Sequence, residues 1–391
     1  MTISRKAGGR AVVALAIAAA VTVGGSALAQ DKETIKLGFI GPLSGGNALQ
    51  GLGARNGFLL ALQQANEGDY PYQVEGEVLD DASEPSTGVS AALKLINDPD
   101  VVAAIGHWNS PVALATTPIF HDHGVPFIIW GAISPSITEQ NFPEVTRTTP
   151  TLAQENAPLA EWLVKEAGMQ QFAIVSDTSD YGKQNSRAFT GYVEAGGGEI
   201  VATDEAPVGT TDFRAILTKI RSLEPDAIYF GGVITEAGLV RKQMADLGMQ
   251  EMPLVGISGI YDAKYLEIAG DAADGTIVSV PQVSQNDKLK AFEEAYEKAD
   301  FDDPAGPYAK YAYDSTNILL QVIEEHGPED REALARAIRQ IEYEGVLGTT
   351  TFDEQGQTQI DVVVEPYVVA GGEWVPWDEA QGAGSGSSGS D

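Results

Sequence analysis

The chain has 391 residues, no cysteine, four histidines and a formal net charge of −32. That length allows two domains, and the apolar content is ordinary for a globular core. The charge excludes a nucleic-acid or anionic-membrane partner, and the absence of cysteine excludes a disulfide scaffold.

The first element is a leader. Arg5, Lys6 and Arg10 precede an apolar stretch from Ala11 to Val23, and Ala27-Leu28-Ala29 gives a small-residue cleavage site. Residues 1–29 are expected to be a secretory signal peptide, too short in its apolar part for a comfortable membrane span. The mature protein is expected in the periplasm, without cofactor, metal or direct membrane insertion.

From Thr34 the chain alternates. "TIKLGFIG" reads as a strand, "GARNGFLLALQQAN" as a helix, "YQVEGEVLDD" as a strand and "STGVSAALKLIND" as a helix. "VVAAIG", "VALATTPIFHDH" and "PFIIWG" repeat the pattern. After "RTTPTLAQEN" it begins again, with helix "NAPLAEWLVKEAG", strand "QFAIVSD" and helix "YGKQNSRAFTGYVEAGG". "GEIVATDEA", "DFRAILTKIRSLEP", "DAIYFGG", "AGLVRKQMADLG" and "MPLVGIS" continue the series. Two late helices follow, then a strand pair around "GTTTFD" and "IDVVVEPYVV". Short apolar runs alternating with amphipathic helices specify βαβ units and parallel sheets. The expected fold class is α/β, two doubly wound parallel-sheet lobes joined by three crossover segments near Thr148, Val280 and Leu347. Residues 30–147 and 281–346 are assigned to the first lobe, 148–280 and 347–378 to the second, and 379–391 to a flexible tail.

Open parallel sheets bind ligands outside the carboxyl ends of their strands, against helix N-termini. The turns after these strands carry Ser110, Gly131, Ser134, Tyr181, "GGVITE" and "GISGIYD", with Trp108, Trp130 and Tyr261 as flat apolar surface. An enzyme is not expected. G-x-S-x-G and the Walker lysine motif are absent, and His107 shares a turn with Ser110 without a third group. His121 and His123 sit at a helix end, where histidines meet carbonyls. "GLGARNG" departs from the dinucleotide fingerprint, and its glycines read as loop flexibility.

The motifs "IGPLSG", "DDASEP", "AAIGHWNS", "GVPFI", "SDTSDYGK", "DFRAILTKI", "IAGDAADG" and "DPAGPYAKYAYDS" occur in this order over residues 34 to about 370. On them the chain resembles the type I periplasmic solute-binding proteins, especially the leucine/isoleucine/valine-binding branch. The resemblance implies a monomeric receptor that closes on a small-molecule solute and delivers it to a membrane ABC permease. It implies that Ser110 and the turn Gly131-Ala132-Ile133 bind the ligand carboxylate and that Tyr181 closes over it. Trp108 and Asn109 flank Ser110. Asn109 and Ser83 stand where the branch often has a cysteine pair. The branch's hydroxyl residue becomes Ile133, its mouth aromatic Gln50, its tyrosine-rich turn Val233-Ile234, and its ammonium-binding acid Ser258. The missing acid favours a carboxylate solute without an α-ammonium, aromatic or branched. The alternative is an aliphatic amino acid held through Asp262 or water. Rival functions are a ligand-sensing protein that presents its closed form to a membrane sensor and, less favoured, an exported hydrolase.

Overall fold

The computed structural model describes residues 1–2 and 32–385. The signal-peptide assignment therefore lies outside the described residues, apart from residues 1 and 2. The first alternating run is β1 (Thr34–Gly41), α1 (Ala48–Glu67), β2 (Gln73–Asp80), α2 (Pro85–Ile96), β3 (Val101–Ile105), α3 (Ser110–Asp122), β4 (Phe127–Ile129), α4 (Ser136–Glu139) and β5 (Val145–Arg147). The second is α5 (Leu152–Lys165), β6 (Gln171–Asp177), α6 (Asp180–Gly196), β7 (Glu199–Ala206), α7 (Arg214–Arg221), β8 (Ala227–Gly231), α8 (Ile234–Asp246), β9 (Leu254–Ile257), α9 (Ala263–Ala269) and β10 (Ile277–Val283). Then come α10 (Asp287–Lys298), α11 (Ala309–His326), α12 (Arg331–Gln340), β11 (Tyr343–Gly345) and β12 (Gly348–Thr350). The chain ends in β13 (Val362–Ala370), β14 (Glu373–Pro376) and α13 (Trp377–Ser385).

The first sheet is parallel throughout, in the order β2-β1-β3-β4-β5. The second has the order β14-β13-β10-β9-β8-β6-β7, with β13 antiparallel to β10 and β14 antiparallel to β13. Both sheets reverse their winding direction, between β1 and β3 and between β6 and β8. The crevices outside those strand ends are the places where a doubly wound sheet accepts a ligand. Strands β3, β8 and β9 are buried along their whole length, because helices cover both faces. Each large apolar side chain buried there contributes about 2 kcal/mol.

Local signals and tertiary partners diverge in four places. Val280 lies within β10, so the second crossover follows Val283. Leu347 lies in the hairpin of β11 and β12, where its N–H donates to Asp314 of α11 at 2.8 Å. Gly356 still accepts from Arg147 N at 2.8 Å, and the chain enters the second sheet only at β13. The third crossover is therefore later than Leu347, and β12 and β13 do not pair with each other. The tail segment beginning at residue 379 opens inside α13, and Trp377 of that helix meets Trp162 edge-on at 4.8 Å; residues 386–391 lie outside the described residues.

The glycines of "GLGARNG" lie inside α1 and are not a loop. A Cβ on Gly53 would stand 2.3 Å from Ala305 O, and one on Gly57 2.2 Å from Ala309 O. Their role is to let α1 approach the start of α11 closely.

Candidate functional site

A cavity of about 450 Å³ opens between the two lobes, at the carboxyl ends of their strands. The turn after β3 supplies Trp108, Asn109, Ser110 and Pro111, and that after β4 supplies Gly131 and Ile133. From the second lobe come Asp177, Ser179 and Tyr181 after β6, Val233, Thr235 and Glu236 after β8, and Gly259 after β9. Tyr308, at the start of α11, Asn47, before α1, and Ser83, Glu84 and Pro85, at the start of α2, add to the wall. Among the described residues, no lysine, arginine or histidine lines the cavity.

Each polar group has a definite local cause. Ser110 opens α3 with Pro111 behind it, so first-turn N–H groups face the cavity end of the helix. Its Oγ accepts from Ser134 N at 3.2 Å. Asn109, the N-cap, makes no side-chain cap, and its buried Oδ1 has no hydrogen-bond partner among the described residues. Asp177 ends β6 and organises the next turn: its Oδ1 accepts from Ser179 N at 2.8 Å and from the Ser179 hydroxyl. Ser179 in turn caps α6 through Gly182 N at 3.0 Å. Glu236 Oε1 accepts from Gly209 N at 2.9 Å. Burial raises the Asp177 carboxyl above its ordinary range, and nearby Glu236 adds to the rise. Tyr181 is buried, its ionisation pushed well up by that burial, and its hydroxyl has no hydrogen-bond partner among the described residues. A buried hydroxyl with nothing to bond is costly unless something else fills the role.

Of the residues singled out from sequence, the cavity gathers Trp108, Asn109, Ser110, Gly131, Ile133, Tyr181 and Val233. Three others are elsewhere. Ala132 is absent from the wall: its N–H donates to His107 O at 2.9 Å and its carbonyl accepts from Arg147 at 3.2 Å. Gln50 is buried and reaches across the cleft, where its Nε2 donates to Asp262 Oδ2 at 2.5 Å. Ser258 faces a smaller void beside the main one. Trp130 is wholly buried, stacked on Phe39 at 5.6 Å, and Tyr261 packs against Tyr367 and Trp374. Neither tryptophan stacking nor tyrosine packing of that kind offers a ligand surface.

His107 turns away from Ser110. Its Nδ1 lies 2.7 Å from Asp81 and its Nε2 2.9 Å from Thr116, all three buried. His121 bonds Glu144 at 2.6 Å and His123 bonds Ile119 O at 2.9 Å. Ser83 accepts from Asn47 Nδ2 at 2.9 Å and lines the cavity with it. Sequence reasoning placed the turns that carry Asp177 and Thr235 at the cleft without singling out either residue, and it missed Tyr308 and Glu84. Asp177 had a signal, as the polar residue closing an apolar strand at a helix start. Tyr308 had none, because it comes from an element far along the chain.

The lobes are latched across the cleft. Besides the pair formed by Gln50 and Asp262, Ser134 Oγ donates to Asp180 at 2.9 Å and Gln184 Nε2 donates to Ser136 Oγ at 2.5 Å. Replacing Gln50 and Gln184 together with alanine is expected to shift the population toward an open form. Small-angle scattering checks this: the radius of gyration should rise in the double variant and fall on adding ligand. An unchanged radius would show that these bonds do not hold the lobes.

The periplasmic binding protein family profile matches residues 34–368. The chain is 30% identical over 342 residues to the leucine-, isoleucine-, valine-, threonine-, and alanine-binding protein of Pseudomonas aeruginosa, covering 87% of this chain and 91% of that one. It is 32% identical to the Leu/Ile/Val-binding protein BraC3 of Rhizobium johnstonii, over 82% of this chain and 88% of that one. Among solved structures, the leucine-binding protein LivK of Thermotoga maritima superposes with a TM-score of 0.81 at 27% identity, over 88% of this chain and 97% of the other. A solute-binding protein of an ABC transporter from Rhodopseudomonas palustris, in complex with 3,4-dihydroxybenzoic acid, gives 0.76 at 26%, over 88% and 96%. Each of these is named as a binding protein, and no helix among the described residues is long and apolar enough to cross a membrane. Two doubly wound lobes around a polar-rimmed cleft, with this match along nearly the whole described chain, place the protein in the type I periplasmic binding protein family, in its branched-chain amino acid-binding branch.

Proposed function

We propose that this chain is the solute receptor of an ABC importer and that it binds a small amino-acid-like zwitterion with an apolar body. One observation carries the reading: the cavity wall holds carboxylates and, among the described residues, no basic group to offset them. The first lobe offers Ser110, Asn109 and the N-terminus of α3, donors suited to a carboxylate. The second offers Asp177 and Glu236, a third acid, Glu84, stands on the first-lobe side, and no basic residue lines the cavity among the described residues. A carboxylate without a cationic group would enter against three acids and meet no compensating charge. This reverses the preference drawn from Ser258, since acids from other turns line the wall. Trp108, Ile133, Tyr181 and Tyr308 supply the apolar surface that small-molecule sites use for affinity.

Calorimetric titration with leucine, phenylalanine, benzoate and phenylpyruvate tests the reading. The amino acids are expected to bind in the micromolar range and the acids more weakly. Tight benzoate binding with no response to either amino acid would overturn it. In the same series Ser110→Ala is expected to cost about 1–3 kcal/mol for every ligand carrying the carboxylate, the scale of a hydrogen bond to a charged group.

A further inference from the structure

A second void lies beside the main cavity, and Ile133 and Tyr308 line both. Its free room is about 10 Å³, the space of one water-sized group. Thr149, Glu155, Ser258 and Tyr311 bound it. Glu155 is in the first turn of α5 and is 1% exposed. Its Oε2 accepts from Ser258 N at 3.1 Å, and no cation pairs with it among the described residues. The hydroxyls of Thr149 and Tyr311, 1% and 3% exposed, have no hydrogen-bond partner among the described residues. Burial pushes the Glu155 carboxyl up to about 7, against the pull of its bonds to Ser258. The groups whose ionisation it disturbs are Tyr181, Tyr229, Tyr308 and Tyr311, all held neutral by their own burial. So a carboxyl group and two spare hydroxyl oxygens converge on room for one small group, and nothing positive is there to meet them.

We infer that Glu155, Thr149 and Tyr311 form an inner subsite that receives the primary ammonium group of the solute, reached past Ile133 and Tyr308 from the main cavity. An ammonium brings three donors, which matches three oxygen atoms with acceptor capacity left. It also brings the charge that keeps a buried carboxylate ionised. All three carboxyl groups accept from one backbone N–H, but only Glu155 lies in the small void beside the two unpartnered hydroxyls, while Asp177 and Glu236 line the main cavity. They bias the cleft toward cations, and Glu155 contacts the cation itself. This assignment rests on the proposed binding of a zwitterion.

The test pairs two solutes of one shape, phenylalanine and phenylpyruvate, with full-length mature protein and its Glu155→Gln and Ser110→Ala variants. For Glu155→Gln the expected result is a loss of tenfold or more in phenylalanine affinity with phenylpyruvate affinity changed less than twofold. Ser110→Ala should weaken both alike. The ligand-free melting temperature of Glu155→Gln should stay level or rise at pH 8, because a disfavoured buried charge is removed. Ammonium chloride alone should neither stabilise the protein nor improve phenylpyruvate binding. Equal losses for both solutes in Glu155→Gln, or no loss, would overturn the subsite while leaving the zwitterion reading in place. Potentiation of phenylpyruvate by ammonium ion would also overturn it, by assigning the pocket to the free ion. Failure of wild-type protein to bind phenylalanine, leucine or any other amine-bearing solute would overturn both.

Discussion

Arg147→Ala is expected to lower the unfolding free energy by about 3–5 kcal/mol, the scale for opening a large buried cavity and stranding several buried hydrogen-bond acceptors. Arg147 ends β5 and is fully buried. Its Nε donates to Gln357 Oε1 at 2.6 Å, its Nη1 to Ser134 O at 2.6 Å and Ala132 O at 3.2 Å, and its Nη2 to Thr138 Oγ1 at 3.2 Å. Burial draws the guanidinium down to about 9, so it remains charged at neutral pH. Alanine would strand two carbonyls, an amide oxygen and a hydroxyl, and would leave a cavity as well. The same bonds pin the turn that carries Gly131 and Ile133, so affinity should fall along with stability. Lysine is a poor rescue, because a point charge cannot reproduce the planar fork. Denaturant unfolding measures the change, and a loss below about 1 kcal/mol would show that the network is dispensable.

Tyr181→Ala should cost about 2–4 kcal/mol of binding free energy, the range of a buried aromatic at the centre of an interface. Tyr181 stands in the first turn of α6, buried, with its ring in the cavity wall and its hydroxyl unpartnered. The conservative variant Tyr181→Phe separates two effects of opposite sign. Without ligand it removes a buried, unbonded hydroxyl and should leave the protein as stable or more stable. With ligand it removes a hydrogen bond and should weaken affinity about tenfold. Thermal melts and calorimetry on one preparation read both signs. Equal affinity of Tyr181→Phe and wild type would mean that the hydroxyl does not meet the solute.

What was legible in the sequence was local. Strands β1, β3, β6 and β8 announce themselves as short β-branched runs, and each ends in a turn of small or polar residues. Ser110, Gly131 and Tyr181 could be placed because a residue that closes a parallel strand is automatically at the crevice. Their position follows from the element they terminate. Residues that act across lobes could not be placed in this way. Glu155 looks like an ordinary polar position in the first turn of an amphipathic helix; it is buried only because that turn abuts Ser258 and α11. Tyr308 depends on where α11 returns to the first lobe, and Gln50 on a partner in the other lobe. The hairpin at Leu347 failed for a related reason. β-propensity marks a strand but not the strand it will pair with, and β12 pairs with β11 while β13 crosses to the second sheet.

The central claim is that the cleft holds a solute bearing both a carboxylate and a primary amine. Mass spectrometry of small molecules released on denaturing protein purified from its native source tests it most directly, with amine-reactive labelling of the released fraction. The expected result is one labelled, carboxylate-bearing solute with an apolar side chain, close to one per chain. Release of a carboxylic acid that takes no amine label, at the same stoichiometry, would contradict the account.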